Sequence, residues 1–323
     1  MTGTRAPPAR KEPDLISLVY ELTSQIPKGM VSTYGDIAAA MGDPVAARMV
    51  GEVLSKNPTP IVVPCHRVVY STGRAGWYGG HGKGAAEKER LLGDEGVKVV
   101  EGTVHDLKTI RFTGFRSRPV LRELHEEQTR LGTMVVEKDE GERPHLVAGL
   151  DVSYDGPNAY GAIVICDLNS GKLVEERTEH TTVRFPYIPT YLAYRELPVL
   201  RPLIDRREGI VYLVDGHGVL HPRGAGIASQ LGLMLEVPTI GAAKRHLVGK
   251  VGEARDGKAS IFLDGELKGY RLGTGKRSTY VSVGHRVSLA TAVAVCEPLI
   301  RNGIPSPLRR AHELANEFRR SHR

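Results

Sequence analysis

The fold of this chain is decided by the stretch Val211-Tyr-Leu-Val-Asp215-Gly-His217-Gly-Val-Leu-His221-Pro-Arg223-Gly-Ala-Gly226. Residues 209–214 are mostly β-branched or aromatic and are followed by glycines, which predicts a buried strand that ends at a loop. A carboxylate at that end lies at the edge of a sheet, where α/β proteins bind their ligands. Asp215 also fits a simple turn in which the glycines only permit the backbone conformation. Residues elsewhere in the chain separate these two interpretations.

Composition indicates a globular protein with a polyanionic partner. The 323 residues allow two domains or one large one, and 41% hydrophobic and 25% charged residues are typical of globular chains. The formal net charge of +7 favours a partner such as nucleic acid. The three cysteines, Cys65, Cys166 and Cys296, are too few and too scattered for a disulfide framework or a zinc site. A reducing, cytoplasmic setting is therefore expected.

Targeting and membrane segments are not predicted. No apolar run approaches the roughly 20 residues that a helix needs to span a bilayer, so no membrane partner is expected. Residues 1–12 are polar and proline-rich, unlike a secretory signal peptide, and are interpreted as a polar leader.

The first part of the chain predicts a helix-turn-helix. A first helix begins near residue 13, and a second opens at Thr33, where Asp36 completes a capping box. A third helix is predicted from about 45 to 56, after a tight turn, with Arg48 near its start. Two short helices joined in this way suit DNA binding, although many helical proteins share the arrangement without touching DNA.

A cysteine next to a histidine follows, in Ile61-Val-Val-Pro-Cys65-His66-Arg67-Val-Val. A thiol acts as a nucleophile when its pKa is lowered, and a histidine, an arginine or a helix end can do this. A Cys-His pair is common in itself, so its surroundings decide its meaning.

These surroundings resemble the active-site domain of the O6-alkylguanine-DNA alkyltransferases over residues from about 13 to 100. The resemblance implies a mainly α, winged-helix-like domain that flips a modified guanine out of the duplex. The matching motifs are Val31-Ser-Thr-Tyr34-Gly-Asp-Ile-Ala, Ala46-Ala-Arg48-Met-Val-Gly, Asn57-Pro, Pro64-Cys65-His66-Arg67-Val, Gly76-Trp-Tyr78-Gly79-Gly80 and Lys88-Glu-Arg-Leu-Leu-Gly-Asp-Glu95-Gly.

The resemblance also implies a catalytic set. Cys65 would accept the alkyl group irreversibly, in a single turnover and without a cofactor. His66, acting through a water and oriented by Glu95, would remove the thiol proton.

The implied DNA-binding residues are four. Arg48 would fill the space left by the flipped base, and Tyr34 would contact the flanking phosphate and help to protonate the base. Asn57 would hold segments of the site together, and Tyr78 would line the pocket. Trp77 and Gly79-Gly80-His81 depart from the usual polar pocket edge, so the alkyl groups that are accepted stay open.

Periodicity fades after residue 100, so 101–118 is interpreted as a basic linker and 119–323 as a second domain. This domain carries three acids on separate predicted elements: Asp151 on a strand, Glu196 on a helix and Asp215 at the end of a later strand. Carboxylates that converge on a sheet and a helix suit Mg²⁺, which prefers oxygen ligands and can activate a phosphodiester. Their spacing alone does not exclude three unrelated surface acids.

Residues from about 119 to 320 resemble endonuclease V. The resemblance implies an α/β, ribonuclease-H-like fold for this domain. The matching motifs are Gly149-Leu-Asp151-Val-Ser-Tyr, Phe185-Pro-Tyr187-Ile-Pro-Thr-Tyr-Leu-Ala-Tyr-Arg-Glu196, Asp215-Gly-His-Gly-Val-Leu-His221-Pro-Arg-Gly-Ala-Gly, Pro238-Thr-Ile-Gly-Ala-Ala-Lys244, Gly284-His285-Arg and Pro307-Leu-Arg-Arg-Ala-His312.

The nuclease site that this resemblance implies combines metal ligands with basic side chains. Tyr187 would belong to a wedge at residues 186–189 that reads the distorted backbone, and residues 218–232 would contribute to a hypoxanthine pocket. Lys244 and His221 would lie near the scissile phosphate. The implied metal ligands are Asp151, Asp215, Glu196 and His312.

Together the two resemblances imply a bifunctional DNA-repair protein. Its first domain would transfer the alkyl group of O6-alkylguanine to Cys65. Its second would nick DNA at the second phosphodiester bond 3′ to a deaminated base. In the alternative, the first domain only senses lesions or binds DNA and delivers the nuclease. A monomer acting on double-stranded and single-stranded DNA is expected; RNA as a substrate, and Mn²⁺ instead of Mg²⁺, stay open.

Overall fold

The computed structural model describes residues 13–79, 84–275 and 277–322. The leader predicted at 1–12, and Gly80 and His81 of the predicted pocket edge, lie outside the described residues. Contacts divide the chain into two compact units. The first unit comprises residues 13–125 with Phe185–Pro189, and the second comprises Glu126–Arg184 with residues 190–322.

The first unit is built from short elements. Helix α2 begins after Thr33. The Thr33 side chain accepts a hydrogen bond from the backbone N–H of Asp36, and the Asp36 carboxylate accepts one from the backbone N–H of Thr33, so the predicted capping box is confirmed. The predicted third helix is α3, entered through a 3₁₀ turn at Pro44–Ala46. The elements are α1 (Leu15–Ser24), β1 (Ser32–Thr33), α2 (Tyr34–Ala40), α3 (Ala47–Ser55), β2 (Val68–Val69), α4 (Gly84–Asp94), β3 (Val99–Val100), β4 (Thr103–Val104) and α5 (Leu107–Ile110).

The segment predicted as a linker contains regular structure. Strand β4 and helix α5 lie within 101–118, and the backbone of Val31 pairs with Arg111 in an isolated bridge. The Arg111 guanidinium also reaches the Asp36 carboxylate, with Nη2 2.5 Å from Oδ1. Helix α6 (Val120–Gly132) follows and matches the helix predicted at 120–132.

A nine-stranded sheet organises the second unit, in the order β10-β11-β12-β13-β9-β8-β5-β6-β7. Its first three strands form a meander, because β5, β6 and β7 pair antiparallel in sequence. The elements are β5 (Leu146–Asp155), β6 (Asn158–Asp167), β7 (Leu173–Thr182), α7 (Leu192–Leu200), β8 (Ile210–Val214), α8 (Ile227–Leu235), β9 (Thr239–Ala243), β10 (Lys250–Arg255), β11 (Lys258–Leu263), β12 (Glu266–Thr274), β13 (Arg277–His285), α9 (Leu289–Cys296), β14 (Ile300–Arg301), β15 (Ile304–Pro305) and α10 (Ser306–Ser321).

The central strands of this sheet bring two predicted acids to the same edge. Strand β8 is completely buried, as its apolar sequence predicts, and runs parallel to β5 with Leu150 opposite Val214. The backbone N–H of Asp215 then donates to the carbonyl of Leu150, 3.3 Å away. Asp151 follows Leu150 and Asp215 follows Val214, so the two aspartates are neighbours.

Apolar side chains pack on both faces of the sheet. One cluster includes residues of α7 and α8, and the other includes residues of α9 and Leu308 of α10. Helix α10 is the longest helix in the described part of the chain, with 16 residues, and Ala311 and Ala315 lie on its buried face. Among the described residues we find no helix whose length and apolar character would let it cross a membrane.

Candidate functional sites

The sulfur of Cys65 lies at the start of a 3₁₀ turn, Cys65–Arg67, that follows Pro64. The side chain is buried, and the Asn57 amide donates to the sulfur over 3.2 Å and to the carbonyl of Val63 over 2.9 Å. Hydrogen bonds to a sulfur that carries negative charge stabilise that charge. Asn57, predicted to hold the site together, thus links the loop before Cys65 to the thiol.

A buried carboxylate fixes the neighbouring histidine. His66 donates through Nε2 to Glu95 over 2.9 Å, and Arg67 grips the same carboxylate with Nε and Nη2 at 2.8 and 2.7 Å. Burial raises the pKa of Glu95, but the hydrogen bonds from Arg67 and His66 outweigh it and lower the pKa to about 2. A further contact from Arg67 to the carbonyl of Ile26, at 2.7 Å, anchors this group to the end of the first helix region.

The other nitrogen of His66 is available as a base. Burial lowers the pKa of His66, and the contact with Glu95 only partly opposes this, so the ring is neutral near pH 7. With the proton on Nε2, the Nδ1 atom carries a lone pair, and it is buried without a hydrogen-bond partner among the described residues. The predicted pairing of His66 with Glu95 is therefore present.

Cys65 opens into a cavity of about 1000 Å³ that Tyr34, Tyr70 and Lys88 also line. Burial, with smaller effects from Tyr70 and Cys65, raises the pKa of Tyr34 to about 12, so its hydroxyl stays protonated. Lys88 is almost fully buried, donates to the carbonyl of Val68 over 2.6 Å, and has a pKa lowered by burial to about 8. No role was predicted for Lys88, although it begins one of the motifs that carry the resemblance, because its burial depends on tertiary contacts.

The cavity rim carries the remaining predicted DNA contacts. Arg48 is four-fifths exposed and forms an ion pair with Glu52 at 3.3 Å, one turn along α3. Tyr78 is buried in the cavity wall, with its ring edge-on to His66 at 6.2 Å between centroids. Trp77 lies beside it on the lining and is 71% exposed.

In the second unit, each neighbouring aspartate has a nitrogen-bearing partner. The Nδ1 atom of His312, on α10, lies 2.6 Å from Oδ2 of Asp151. The Nζ atom of Lys244, just after β9, lies 2.5 Å from Oδ2 of Asp215. The structure therefore brings together four residues that lie far apart in the sequence.

The third acid, Glu196 on α7, joins this group electrostatically. It is partly buried, and its pKa is raised well above the usual range by burial and then by the charges of Asp151 and Asp215. Burial and Asp215 also raise the pKa of Asp151, while the hydrogen bond from His312 opposes this. The hydroxyl of Tyr154 donates to Glu196 over 3.4 Å.

Carboxylates that destabilise each other's charge suit a divalent cation. Within ranges 13–79, 84–275 and 277–322, no group of three or more His, Cys, Asp or Glu side chains is placed so that it could hold a metal ion as it stands. The donor chemistry is nevertheless the kind that Mg²⁺ prefers: two aspartates on neighbouring strands and a glutamate on α7, whose mutual repulsion a cation would relieve. The residues therefore fit such an ion.

His221 and Tyr187 lie in different surroundings from this group. His221 is buried; its Nε2 donates to the carbonyl of Thr190 over 3.0 Å, and its Nδ1 accepts the backbone N–H of Arg223 at 3.3 Å. Both ring nitrogens are thus occupied by the backbone, and the contacts of His221 are those of a loop-holding residue. Tyr187 is half-exposed and belongs to the Phe185–Pro189 segment of the first unit.

The glycine-rich loop after Asp215 packs closely on strands β9 and β13. A Cβ on Gly218 would meet the carbonyl of Val283, and one on Gly226 would meet the carbonyl of His217. His217 is partly buried, its Nε2 donates to the carbonyl of Arg245 over 2.9 Å, and burial lowers its pKa to about 4. This loop therefore holds Asp215 at the sheet edge through backbone packing.

Comparison with known proteins supports both resemblances. The family model for endonuclease V matches residues 129–313, and the model for the 6-O-methylguanine DNA methyltransferase DNA-binding domain matches residues 15–97. A crystal structure of endonuclease V from Streptomyces avermitilis has a TM-score of 0.57 and 32% identity, covering 65% of this chain and 97% of that one. The endonuclease V-like fold of the C-terminal part and the alkyltransferase-like character of the N-terminal part are thereby confirmed.

Relatives are also similar over nearly the whole length. A bifunctional methyltransferase/endonuclease of Thermoplasma volcanium is 38% identical over 301 residues, which are 93% of this chain and 89% of the relative. One from Picrophilus torridus is 36% identical over 308 residues, 95% of this chain and 98% of the relative. The chain therefore belongs to the family of bifunctional methyltransferase/endonucleases.

Proposed function

We propose that this protein repairs DNA by two separate reactions, alkyl transfer from O6-alkylguanine to Cys65 and nicking beside deaminated bases. The names of its full-length relatives supply the two reaction classes. The observation that carries the first reaction is the state of His66, held at Nε2 by Glu95 and carrying a buried lone pair at Nδ1.

In alkyl transfer, the Cys65 sulfur attacks the alkyl carbon as a thiolate. His66 takes the thiol proton through a bridging water, and the Asn57 amide donates to the sulfur during the reaction. A carbon–sulfur bond forms while the bond between the alkyl carbon and O6 breaks. The electron pair goes to the guanine, and the protonated Tyr34 hydroxyl supplies the proton that the base takes up. Arg48 occupies the space of the flipped base.

For nicking, Asp151, Asp215 and Glu196 would hold a divalent cation, with His312 beside Asp151. That cation would supply polarisation of the scissile phosphodiester and a bound water of lowered pKa. Lys244, which stays protonated because the three carboxylates raise its pKa, supplies positive charge for the phosphate. His221 holds the loop around Thr190, and Tyr187 is assigned to the wedge that reads the backbone at the lesion.

We also propose the domain boundaries, the substrates, the metal ion and the cellular setting. The first domain, 13–100, is winged-helix-like, the second, 119–323, is ribonuclease-H-like, and 101–118 connects them. The substrates are double-stranded and single-stranded DNA, the ion is Mg²⁺ with Mn²⁺ as a substitute, and the setting is cytoplasmic. The net charge of +7 supports a polyanionic substrate.

Two assays on the full chain test the two reactions. DNA with a labelled methyl group on O6 of guanine should label the protein, and Cys65→Ala should abolish the label. If no label is transferred, the first unit is a lesion-sensing module instead; if the variant is labelled equally, Cys65 is not the alkyl acceptor. Inosine-containing DNA should be nicked in Mg²⁺, and Asp215→Ala should abolish nicking; persistent nicking would refute the site assignment.

A further inference from the structure

A continuous set of hydrogen bonds joins helix α10 to Asp151. The Oδ1 atom of Asn316 accepts from the Ser153 hydroxyl over 3.0 Å and from Nη2 of Arg319 over 3.1 Å. Its Nδ2 atom lies 2.8 Å from the carbonyl oxygen of His312 and 3.1 Å from Nε2 of the same residue. The Nδ1 atom of His312 then lies 2.6 Å from Oδ2 of Asp151. Asn316 is thus the residue on which four contacts converge.

These contacts fix the orientation of the Asn316 amide. The oxygen and nitrogen of an amide look alike in shape, so the partners must assign them. Reversing the amide would place its NH₂ group against the Arg319 guanidinium, which can only donate. It would also place its oxygen 2.8 Å from the carbonyl oxygen of His312, where both atoms can only accept. The orientation with NH₂ toward His312 avoids both conflicts.

The orientation of the amide in turn fixes the proton of the imidazole. The Nδ2 atom of Asn316 is a donor, so the Nε2 atom of His312 must accept and carries no proton. A neutral imidazole with a bare Nε2 has its proton on Nδ1. That N–H points at Asp151 and donates to its carboxylate.

We propose that Asn316 is a positioning residue of the nuclease site, which keeps His312 in the Nδ1–H form and thereby orients Asp151. The resemblance to endonuclease V implied that His312 is a metal ligand. In this proposal His312 instead donates a hydrogen bond to Asp151, which would bind the metal. Partners of this kind set the orientation of metal ligands in many proteins. The effect on nicking rests on the proposed function, whereas the form of the imidazole does not.

The form of the imidazole is measured directly by nuclear magnetic resonance. The full chain is labelled with ¹⁵N-histidine and studied without metal near pH 8, where an ordinary histidine, with a pKa of about 6.5, is neutral. Long-range proton–nitrogen correlations distinguish the two neutral forms, and the signal missing from His312→Gln identifies the residue. We expect Nε2 of His312 to be unprotonated. A protonated Nε2 in the wild-type protein would overturn the proposal.

A variant of matched size tests whether the Asn316 amide determines which nitrogen of His312 is protonated. Asn316→Asp keeps the size of the side chain but replaces the donor beside Nε2 with an acceptor, so Nε2 should become protonated. The carboxylate can still accept from Ser153 and Arg319, although the hydrogen bond from residue 316 to the carbonyl of His312 is lost. If Nε2 of the imidazole stays unprotonated in this variant, Asn316 does not control it and the proposal is wrong.

Kinetics on inosine-containing DNA give the functional readout. Asn316→Ala should lower kcat about tenfold and leave KM unchanged, because DNA contacts are intact while Asp151 is misaligned. Glu313→Ala, at a half-exposed position one residue after His312, is the control and should match the wild type. Unchanged kcat in Asn316→Ala, together with loss of the Nδ1–H form, would refute the positioning role. A wild-type protein that nicks nothing would instead refute the proposed function, and the imidazole result would be judged separately.

Discussion

Glu95 is the residue whose charge is most strongly stabilised in the first unit. Two hydrogen bonds from Arg67 and one from His66 lower its pKa from 4.5 to about 2, although burial acts in the opposite direction. A carboxyl group whose pKa is lower in the folded state adds stability above its unfolded pKa, and this stability disappears as the pH falls toward the folded pKa. A shift of this size corresponds to about 3 kcal/mol.

We therefore predict that Glu95→Gln is less stable than the wild type at pH 7, and that the difference shrinks between pH 4.5 and pH 2. Urea unfolding followed by the emission of Trp77, the single tryptophan, measures the first unit selectively. A gap that stays constant down to pH 2 would show that the carboxylate charge is not what stabilises this group. His66→Gln, which removes one neutral hydrogen-bond donor, serves as the comparison.

Glu52 is the nearest described acid to the arginine that is proposed to enter DNA. The Arg48–Glu52 pair is exposed, and pairs of this kind contribute less than about 0.5 kcal/mol. Its carboxylate also faces the phosphates of any DNA that Arg48 enters. We expect Glu52→Ala to bind duplex DNA two- to threefold more tightly in low salt, with the gain reduced at high salt.

Fluorescence anisotropy with a labelled duplex at two salt concentrations measures this effect. Glu101→Ala, which removes an exposed acid outside the cavity lining, is the matched control. Weaker binding by Glu52→Ala would mean that the ion pair holds Arg48 in its DNA-binding position.

At the scale of elements, the loop between β8 and α8 depends on backbone contacts that only glycine allows. A Cβ on Gly218 would collide with the carbonyl oxygen of Val283, which belongs to a central strand and cannot move aside. We predict that Gly218→Ala lowers the free energy of unfolding of the second unit by about 3 kcal/mol and abolishes nicking.

Thermal unfolding and the inosine assay check this prediction. The control is Gly252→Ala on the edge strand β10, where the added Cβ would lie 3.5 Å from the nearest atom and should be tolerated. Equal melting temperatures for the two variants would contradict the close packing that we describe.

The elements show how far sequence alone reaches. Strands β5, β6 and β8 could be predicted because they contain continuous apolar runs, and α2 because Thr33 and Asp36 form a local capping box. The adjacency of Asp151 and Asp215 could not be predicted from strand patterns, because it depends on the register of β5 against β8.

The environments of individual side chains also could not be predicted from the sequence. His66 lies in a proline-containing motif and His221 in a glycine-rich one. Among the described residues, the buried Nδ1 of His66 has no hydrogen-bond partner, whereas both ring nitrogens of His221 form hydrogen bonds with the backbone. Lys88 and Asn316 lie on polar helices, where nothing distinguishes them from solvent-exposed neighbours until tertiary contacts form. The candidate residues could be named from motifs, but the partners that decide their chemistry could not.

At the scale of the whole molecule, the two proposed reactions differ in their requirement for metal. Under the proposed function, Asn57 and the His66–Glu95 pair activate Cys65, whereas the carboxylates of the second unit would need a cation. We predict that a chelator abolishes nicking of inosine-containing DNA and leaves transfer of the methyl label unchanged. Running both assays on one preparation makes the comparison, and a loss of methyl transfer in chelator would show that the first site also depends on metal.

Each compact unit has a hydrophobic cluster of its own, at Val31, Leu92 and their neighbours in the first and around the central strands in the second. Under the proposed function, a molecule whose Cys65 has been consumed is spent as an alkyl acceptor but still turns over as a nuclease. One molecule of protein would then be consumed for each alkylated guanine, whereas a small number of used molecules would suffice to process the deaminated bases. The population would also carry a chemical record of past alkylation in a form that remains enzymatically active.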